Sequence, residues 1–277
     1  MGSFCHLPCV QHPTQPQTRP GGATMSYSPD DTVMDDSFDE NGLLSVFPET
    51  LATKIRRDAT FVTLEAGDVL FSAGDTIRYT YFPLAPTVIS LIIELDDNRR
   101  VEAASIGKEG AIGGIVSCGD LPAFTRAEVQ VGGRAVRIAL DALEDLKLKS
   151  RFLREIYCRY ADYLLAQVMQ SVACNAFHPI EARAARWLLT ARDRAGDSLA
   201  LTQEALASLL GVQRTTVNAA AKQLQSEGLI EYRRGKVEIR DVDKLRERTC
   251  NCYGRVERHR AAVLGDAEAS WISDCAE

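Results

Sequence analysis

From Asp141 to Phe177 the chain contains neither glycine nor proline, and large apolar residues recur there at Leu146, Leu153, Tyr157, Tyr160, Leu164, Val168 and Val172. Steps of three, four and seven residues are the helical period, and sustained over this length they form a near-heptad seam. A helix of up to about 30 residues is far longer than the globular average. It outruns a single small domain, so the seam reads as a partner surface and residues 146–177 as a dimerisation helix. The plainer alternative is a stripe that packs on its own domain. His178-Pro179 ends the helix, because a residue before proline is pushed out of the α region.

The segments on either side follow different rules. Upstream, Phe61 to Leu140 breaks into short β-rich runs: Phe61-Val62-Thr63-Leu64, Val69-Leu70-Phe71, Tyr79-Thr80-Tyr81-Phe82, Val88 to Leu95, Val101 to Ala104 and Val129 to Leu140. Turns such as Glu65-Ala66-Gly67-Asp68 and Asp96-Asp97-Asn98 separate them. Short strands at this spacing predict an antiparallel jelly roll, which we assign to residues 41–145. Residues 1–40 are rich in Pro, Gln, Ser, Thr and Asp and are expected to be a disordered tail; Met25 offers a second start.

Downstream, residues 178–246 predict helix, tight turn, helix and hairpin. Ile180 to Ala191 brings Trp187, Leu188 and Leu189 to one core. Thr202 caps a helix that runs through Leu206, Leu209 and Leu210 to a stop at Gly211. The next helix opens at Gln213 or Thr215, buries Val217, Ala220 and Leu224, and ends at Gly228. Leu229 to Tyr232 and Lys236 to Ile239 then flank the turn Arg233-Arg234-Gly235 as a hairpin. This order is that of a winged helix-turn-helix. Residues 247–277 read as a polar, alanine-rich tail. The fold class is α+β.

A net charge of −6 argues superficially against a polyanion partner. Pro179 to Arg260, however, carries 16 Lys and Arg against 11 Asp and Glu, while the remaining segments are acidic. The local charge is the informative quantity. A helix entering a major groove about 12 Å wide needs polar donors at its N-terminal end, which also carries the positive end of the helix dipole. Arg214 suits a guanine edge, Thr215, Thr216 and Asn218 suit bases or backbone, and Arg233, Arg234 and Lys236 suit phosphates. Thr202, Gln203, Gln213 and Lys222 complete the candidate contact set. An Arg and two Thr alone would be only capping and solvated surface; the surrounding elements favour DNA. Double-stranded DNA is therefore the expected partner.

The ordered parts also resemble a known family. Leu64-Glu65-Ala66-Gly67-Asp68-Val69-Leu70-Phe71, Tyr81-Phe82-Pro83, Ile106-Gly107-Lys108-Glu109-Gly110, Ile112-Gly113, Leu201-Thr202-Gln203-Glu204, Leu206-Ala207, Leu210-Gly211-Val212, Thr216-Val217 and Gly228-Leu229-Ile230 are similar to the Crp/Fnr regulators. These are the cyclic-AMP-receptor and fumarate-nitrate-regulator proteins of bacteria. The resemblance implies a cyclic-nucleotide-binding-like β-roll as sensor, a homodimer, a palindromic operator and contact with RNA polymerase. It also exposes departures. Cyclic-nucleotide binders have Gly-Glu where this chain has Gly113-Gly114, and the Arg-Ser/Thr pair that clamps the phosphate aligns with Thr125-Arg126. The effector pocket at Gly113, Gly114, Thr125 and Arg126 is thus not expected to bind cyclic AMP. Arg214 matches a base-reading arginine, but Thr215 and Ala219 stand where many members have Glu and Arg, so a different operator is expected.

Eight cysteines are scattered through a chain whose first residues lack a secretory signal, which favours reduced thiols and the cytoplasm. Cys5, Cys9 and Cys118 do not reproduce the cysteine pattern of the iron–sulfur members of the family. Cys250-Asn251-Cys252, with His259 and Cys275, offers four zinc or redox ligands and leaves a metal- or redox-sensing regulator as the alternative function. Ordinary thiols near a terminus are the plainer reading, and no metal or other cofactor is assigned. An enzyme is not expected: no histidine occurs between Pro13 and Phe177 to build a metal-dependent jelly-roll site, and Gly-x-Ser-x-Gly and phosphate-loop signatures are missing. No apolar run approaches the roughly 20 residues of a membrane span. A dimeric interaction protein without DNA binding would leave the basic hairpin unexplained.

Overall fold

The computed structural model describes residues 36–115 and 121–265. A 3-10 turn, Asp36–Glu40, and helix α1, Glu49–Asp58, lead into strands β1 (Ala59–Leu64), β2 (Val69–Phe71), β3 (Tyr79–Pro83), β4 (Val88–Glu94), β5 (Arg100–Ile106), β6 (Arg126–Val131) and β7 (Gly133–Ala139). Two antiparallel sheets result, with orders β1-β7-β3 and β2-β6-β4-β5. The period-2 alternation of strand side chains divides their residues between two faces. Leu64, Phe71, Tyr81, Ile89, Ile106, Ala127, Val129 and Ala135 fill the space between the sheets. Ala59, Phe82, Val136 and Ile138 point outward from the first sheet; Val88, Ile92 and Val131 point outward from the second.

Each outward face is covered by helices. Helices α1 and α2 (Leu140–Lys149) lie on the first sheet, α3 (Arg151–Phe177) packs against α2 and β5, and α8 (Cys252–Leu264) packs against α3, all sharing one core through Leu51, Ile55, Leu143, Phe152, Tyr160 and Leu264. On the second lies the unit formed by α4 (Ile180–Ala195), β8 (Ser198–Leu199), α5 (Gln203–Leu210), α6 (Arg214–Ser226), β9 (Ile230–Arg233), β10 (Lys236–Ile239) and α7 (Val242–Arg248). Among the described residues no helix is long and apolar enough to cross a membrane.

Several expectations are corrected. The long helix is two helices: Ser150 leaves the helical conformation, and its hydroxyl accepts from Leu153 N at 3.2 Å to cap α3. Leu153, Tyr157 and Tyr160, expected on the partner seam, are buried in the chain's own core. Of the expected seam only Val172 is exposed; with Leu165 and Met169 it forms the exposed apolar line on α3, at steps of four and three. Residues 36–40 are not part of a disordered tail, because Phe38 is fully buried; residues 1–35 lie outside the described residues. The supposed C-terminal tail contains α7's last turn and α8, which packs along α3.

The loop Gly107–Ala111 holds these layers together. Asn41 Nδ2 donates to Gly110 O at 2.8 Å and to Pro83 O at 2.9 Å. Tyr160 of α3, fully buried, accepts from Ala111 N and donates to Ala111 O, at 3.0 and 2.9 Å. Arg194 of α4 pairs with Glu109 at 2.6 Å and donates to Ser105 Oγ at 2.5 Å. Burial by itself would push Arg194 toward the neutral form, but Glu109 and its neighbours reverse this and raise its pKa. Glycine is needed at Gly107 and Gly110, since a Cβ would lie 2.6 Å from the Arg194 side chain and 2.2 Å from Tyr160 Oη. Because Arg194 and Glu109 are 6% and 15% exposed, solvent screens them little. Glu109→Ala would leave the guanidinium buried and unpaired, and is expected to lower stability by about 3 to 5 kcal/mol, measured as a fall in the urea midpoint.

Candidate nucleic-acid interface

Thr202 caps α5 through its hydroxyl, which accepts from Ala205 N at 3.0 Å. The helix stops at Gly211 with φ 64 and ψ 37, the left-handed conformation in which glycine has no Cβ penalty. Arg183 of α4 donates to Leu210 O, satisfying a carbonyl at that end. The chain then turns into α6, which buries Val217, Ala220, Ala221 and Leu224 against α4 and α5. Its other face is open: Gln213, Arg214, Thr215, Thr216, Ala219 and Lys222 are exposed and Asn218 is half-buried. Arg214 meets Glu204 only at 3.7 Å, with both side chains more than two-thirds exposed, so the pair holds Arg214 weakly. Gln203 is half-buried and Thr202 exposed at the start of α5.

The wing is a hairpin in which Arg233 pairs with Lys236 across the two-residue turn Arg234-Gly235. Positive φ at both turn residues, 48° and 78°, is the geometry of a type I′ turn, whose twist matches the flanking strands. Arg233, Arg234 and Lys236 are exposed at this tip. Glu231 and Glu238 pair with Arg233, Lys236 and Arg240, leaving Arg234 as the outermost cation. Two bonds fix the wing beside α6: Tyr232 N donates to Gln225 Oε1 at 2.8 Å, and Tyr232 Oη donates to Leu201 O at 2.8 Å. Strand β8 adds a third strand beside β10; its two residues were too short a signal to read.

This unit is bonded to the β-roll by contacts that sequence reasoning missed. Trp187 Nε1 donates to the Glu102 carboxylate at 3.0 and 3.1 Å, and Glu102 also accepts from Ser90. Gly211 faces β5 so closely that a Cβ would lie 3.2 Å from Val101 Cγ2. Beside this contact Arg100 bonds Glu94 at 3.0 Å and Glu128 at 2.6 Å. Burial works against the Glu128 carboxylate, but bonds from Arg100 and Arg126 outweigh it and hold its pKa below the ordinary value.

The four effector-pocket residues fall in different surroundings. A Cβ on Gly113 would lie 2.3 Å from Tyr79 O, and one on Gly114 would lie 2.1 Å from Leu140 Cδ1. Arg126 bonds Glu128 at 2.9 Å on the outer face of β6, opposite Ala127 and Val129 in the core between the sheets. Thr125, half-buried, precedes that strand.

The cysteine candidates are rearranged. His259, one of the residues expected beside Cys250 and Cys252, bonds Asp162 at 2.8 Å; Cys5, Cys9, Cys118 and Cys275 lie outside the described residues. Cys250 and Cys252 instead meet Cys174 at the end of α3 and His178 at its cap, with all four donor atoms within 4.8 Å of one another. A bond from the Cys174 thiol lowers the Cys250 pKa; the same contact, together with burial, raises that of Cys174. The C-x-x-x-H spacing of Cys174 and His178, alongside Cys-x-Cys, was the available signal.

Fold and interface together define a class. Residues 182–248 match the family model of the Crp-like helix-turn-helix domain. Similar solved structures include FixK2 from Bradyrhizobium japonicum, at 17% identity and a TM-score of 0.59, covering 69% of this chain and 98% of that one. The CRP-family transcriptional regulator TTHB099 from Thermus thermophilus gives 18%, 0.55, 67% and 95%. CLP from Xanthomonas campestris, described as a c-di-GMP responsive global regulator, gives 18%, 0.54, 70% and 100%. No curated protein matched the sequence. Residues 182–248 thus form a Crp-like helix-turn-helix domain, and the fold of the described chain is that of the similar Crp/Fnr-type structures.

Proposed function

We propose that the protein is a homodimeric transcription regulator that reads a palindromic DNA site with α6 of each copy and acts in the cytoplasm on RNA polymerase. The observation that carries this is the division of α6 into a buried face, Val217, Ala220, Ala221 and Leu224, and an open face that begins with Gln213-Arg214-Thr215-Thr216. The open face has the dipole's positive end at its tip and basic Arg234 on the adjoining wing. Ala219 keeps the exposed side slim, which supports close approach of the helix to a groove.

The exposed line Leu165, Met169 and Val172, each more than half exposed, supports a second copy as partner of α3, since an apolar helix face otherwise remains in water. The β-roll is then the sensor, for a signal other than cyclic AMP. Leu140 against Gly114 and the engagement of Arg126 with Glu128 on the outer face support this reading.

Four results are expected. In selection from a random duplex library followed by titration, Arg214→Ala costs about 1 to 3 kcal/mol and relaxes preference at one base pair. Affinity falls steeply with rising salt; a flat response would mean an interaction protein and sink the DNA reading. Leu165→Glu with Met169→Glu sediments as a monomer and loses preference for a palindrome. Calorimetry with cyclic AMP gives no heat of binding, whereas micromolar binding abolished by Arg126→Ala would overturn the proposed sensor chemistry.

A further inference from the structure

Three segments converge where the long helix, the DNA-binding unit and the C-terminal helix meet. Cys174 is on the last turn of α3, and His178 caps that helix. Cys250 follows α7, and Cys252 is the first residue of α8. Cys174 Sγ lies 3.5 Å from Cys250 Sγ, and Cys252 Sγ lies 3.4 Å from His178 Nδ1. Cys174 and Cys252 are buried, Cys250 and His178 half-buried. Three thiols and an imidazole thus crowd together, although thiols bond one another poorly.

The distances fit one particular arrangement. In tetrahedral coordination, two sulfurs about 2.3 Å from a zinc ion stand about 3.8 Å apart, and a sulfur and an imidazole nitrogen about 3.6 Å. The two short contacts lie near these edge lengths, and shifts of about 1 Å would bring the whole set, now within 4.8 Å, onto a tetrahedron. An iron–sulfur core would hold its cysteines on different irons and spread them wider. A disulfide would need sulfurs about 2.05 Å apart and would leave Cys252 and His178 unused.

The surroundings also suit a metal. Gln170, one turn before Cys174, donates Nε2 to Cys252 Sγ at 3.0 Å, the type of bond that orients a ligating thiolate. We propose that Cys174, His178, Cys250 and Cys252 form a closed four-ligand site for a single thiophilic divalent cation of the zinc type. Each ligating thiol releases its proton to solvent as the metal–sulfur bond forms. The ion fastens the α7–α8 link to the α3–α4 junction, the joint between the dimer helix and the DNA-reading unit.

The test uses the full chain purified without oxygen and needs no DNA, so its outcome is independent of the proposed function. Zinc analysis is expected to give about one ion per chain. Cobalt(II) added to metal-free protein should develop tetrahedral d–d bands and a thiolate-to-cobalt charge-transfer band. Cys174→Ser and Cys250→Ser abolish both; Cys158→Ser, which alters an exposed cysteine elsewhere on α3, leaves them intact. Gln170→Ala weakens zinc affinity by about 10-fold. His178→Cys retains the ion and moves the charge-transfer band, a readout that survives if the serine variants do not fold. Wild-type protein without stoichiometric zinc and without the thiolate–cobalt band overturns the proposal, as does uptake that persists in folded Cys174→Ser. A quantitative Cys174–Cys250 disulfide in metal-free protein would assign the cluster to redox chemistry instead.

Discussion

The ion pair between Arg194 and Glu109 is the joint on which the arrangement of layers depends. Arg194 lies near the end of the first helix of the DNA-binding unit, and Glu109 lies in a loop of the β-roll. The same loop is grasped by Tyr160 of the long helix and by Asn41 of the N-terminal turn. A buried charge without its partner is costly, and a buried backbone amide without its bond is also costly. The loop can therefore satisfy its polar groups only when helix, turn and DNA-binding unit are all in place. Glycines at 107 and 110 let the two large side chains approach the backbone closely enough.

Fixing α4 to the β-roll also determines what α6 presents. Trp187 on Glu102 and the Gly211 turn against Val101 hold one side of the helix-turn-helix to the sheet. The face that begins at Gln213 points away from this contact region into solvent. Val101 and Glu102 both lie on β5, so this one strand contacts α4 and the turn that precedes α6. Beside these contacts Val88, Ile92 and Val131 of the sheet share one apolar core with the helix-turn-helix unit.

Much of this was legible because the signals are local. Alternation revealed the β-roll, Thr202 and Gly211 marked the helix-turn-helix, and Arg234-Gly235 marked the wing turn. The errors share one cause. Leu153, Tyr157 and Tyr160 have the spacing of a partner seam, but spacing cannot say whether the β-sheet or another chain covers them. Ser150 looks like an ordinary polar position in a heptad, yet its hydroxyl ends one helix and caps the next. Phe38 was an isolated aromatic in a polar tail until the core that receives it was known.

By itself the sequence determined the kinds of element and their order, since helical period, strand alternation, caps and left-handed glycines depend on residues within a turn or two of one another. It also determined which side chains of α6 stay open to solvent, because the buried stripe leaves its complement exposed. Only the tertiary structure decided which remote groups meet. Glu109 found Arg194, and Cys174 and His178 found Cys250 and Cys252, because packing of α4 and α8 on the rest of the chain brought their carrying segments together. Such meetings follow from the shapes of whole layers, and no spacing along the chain encodes them.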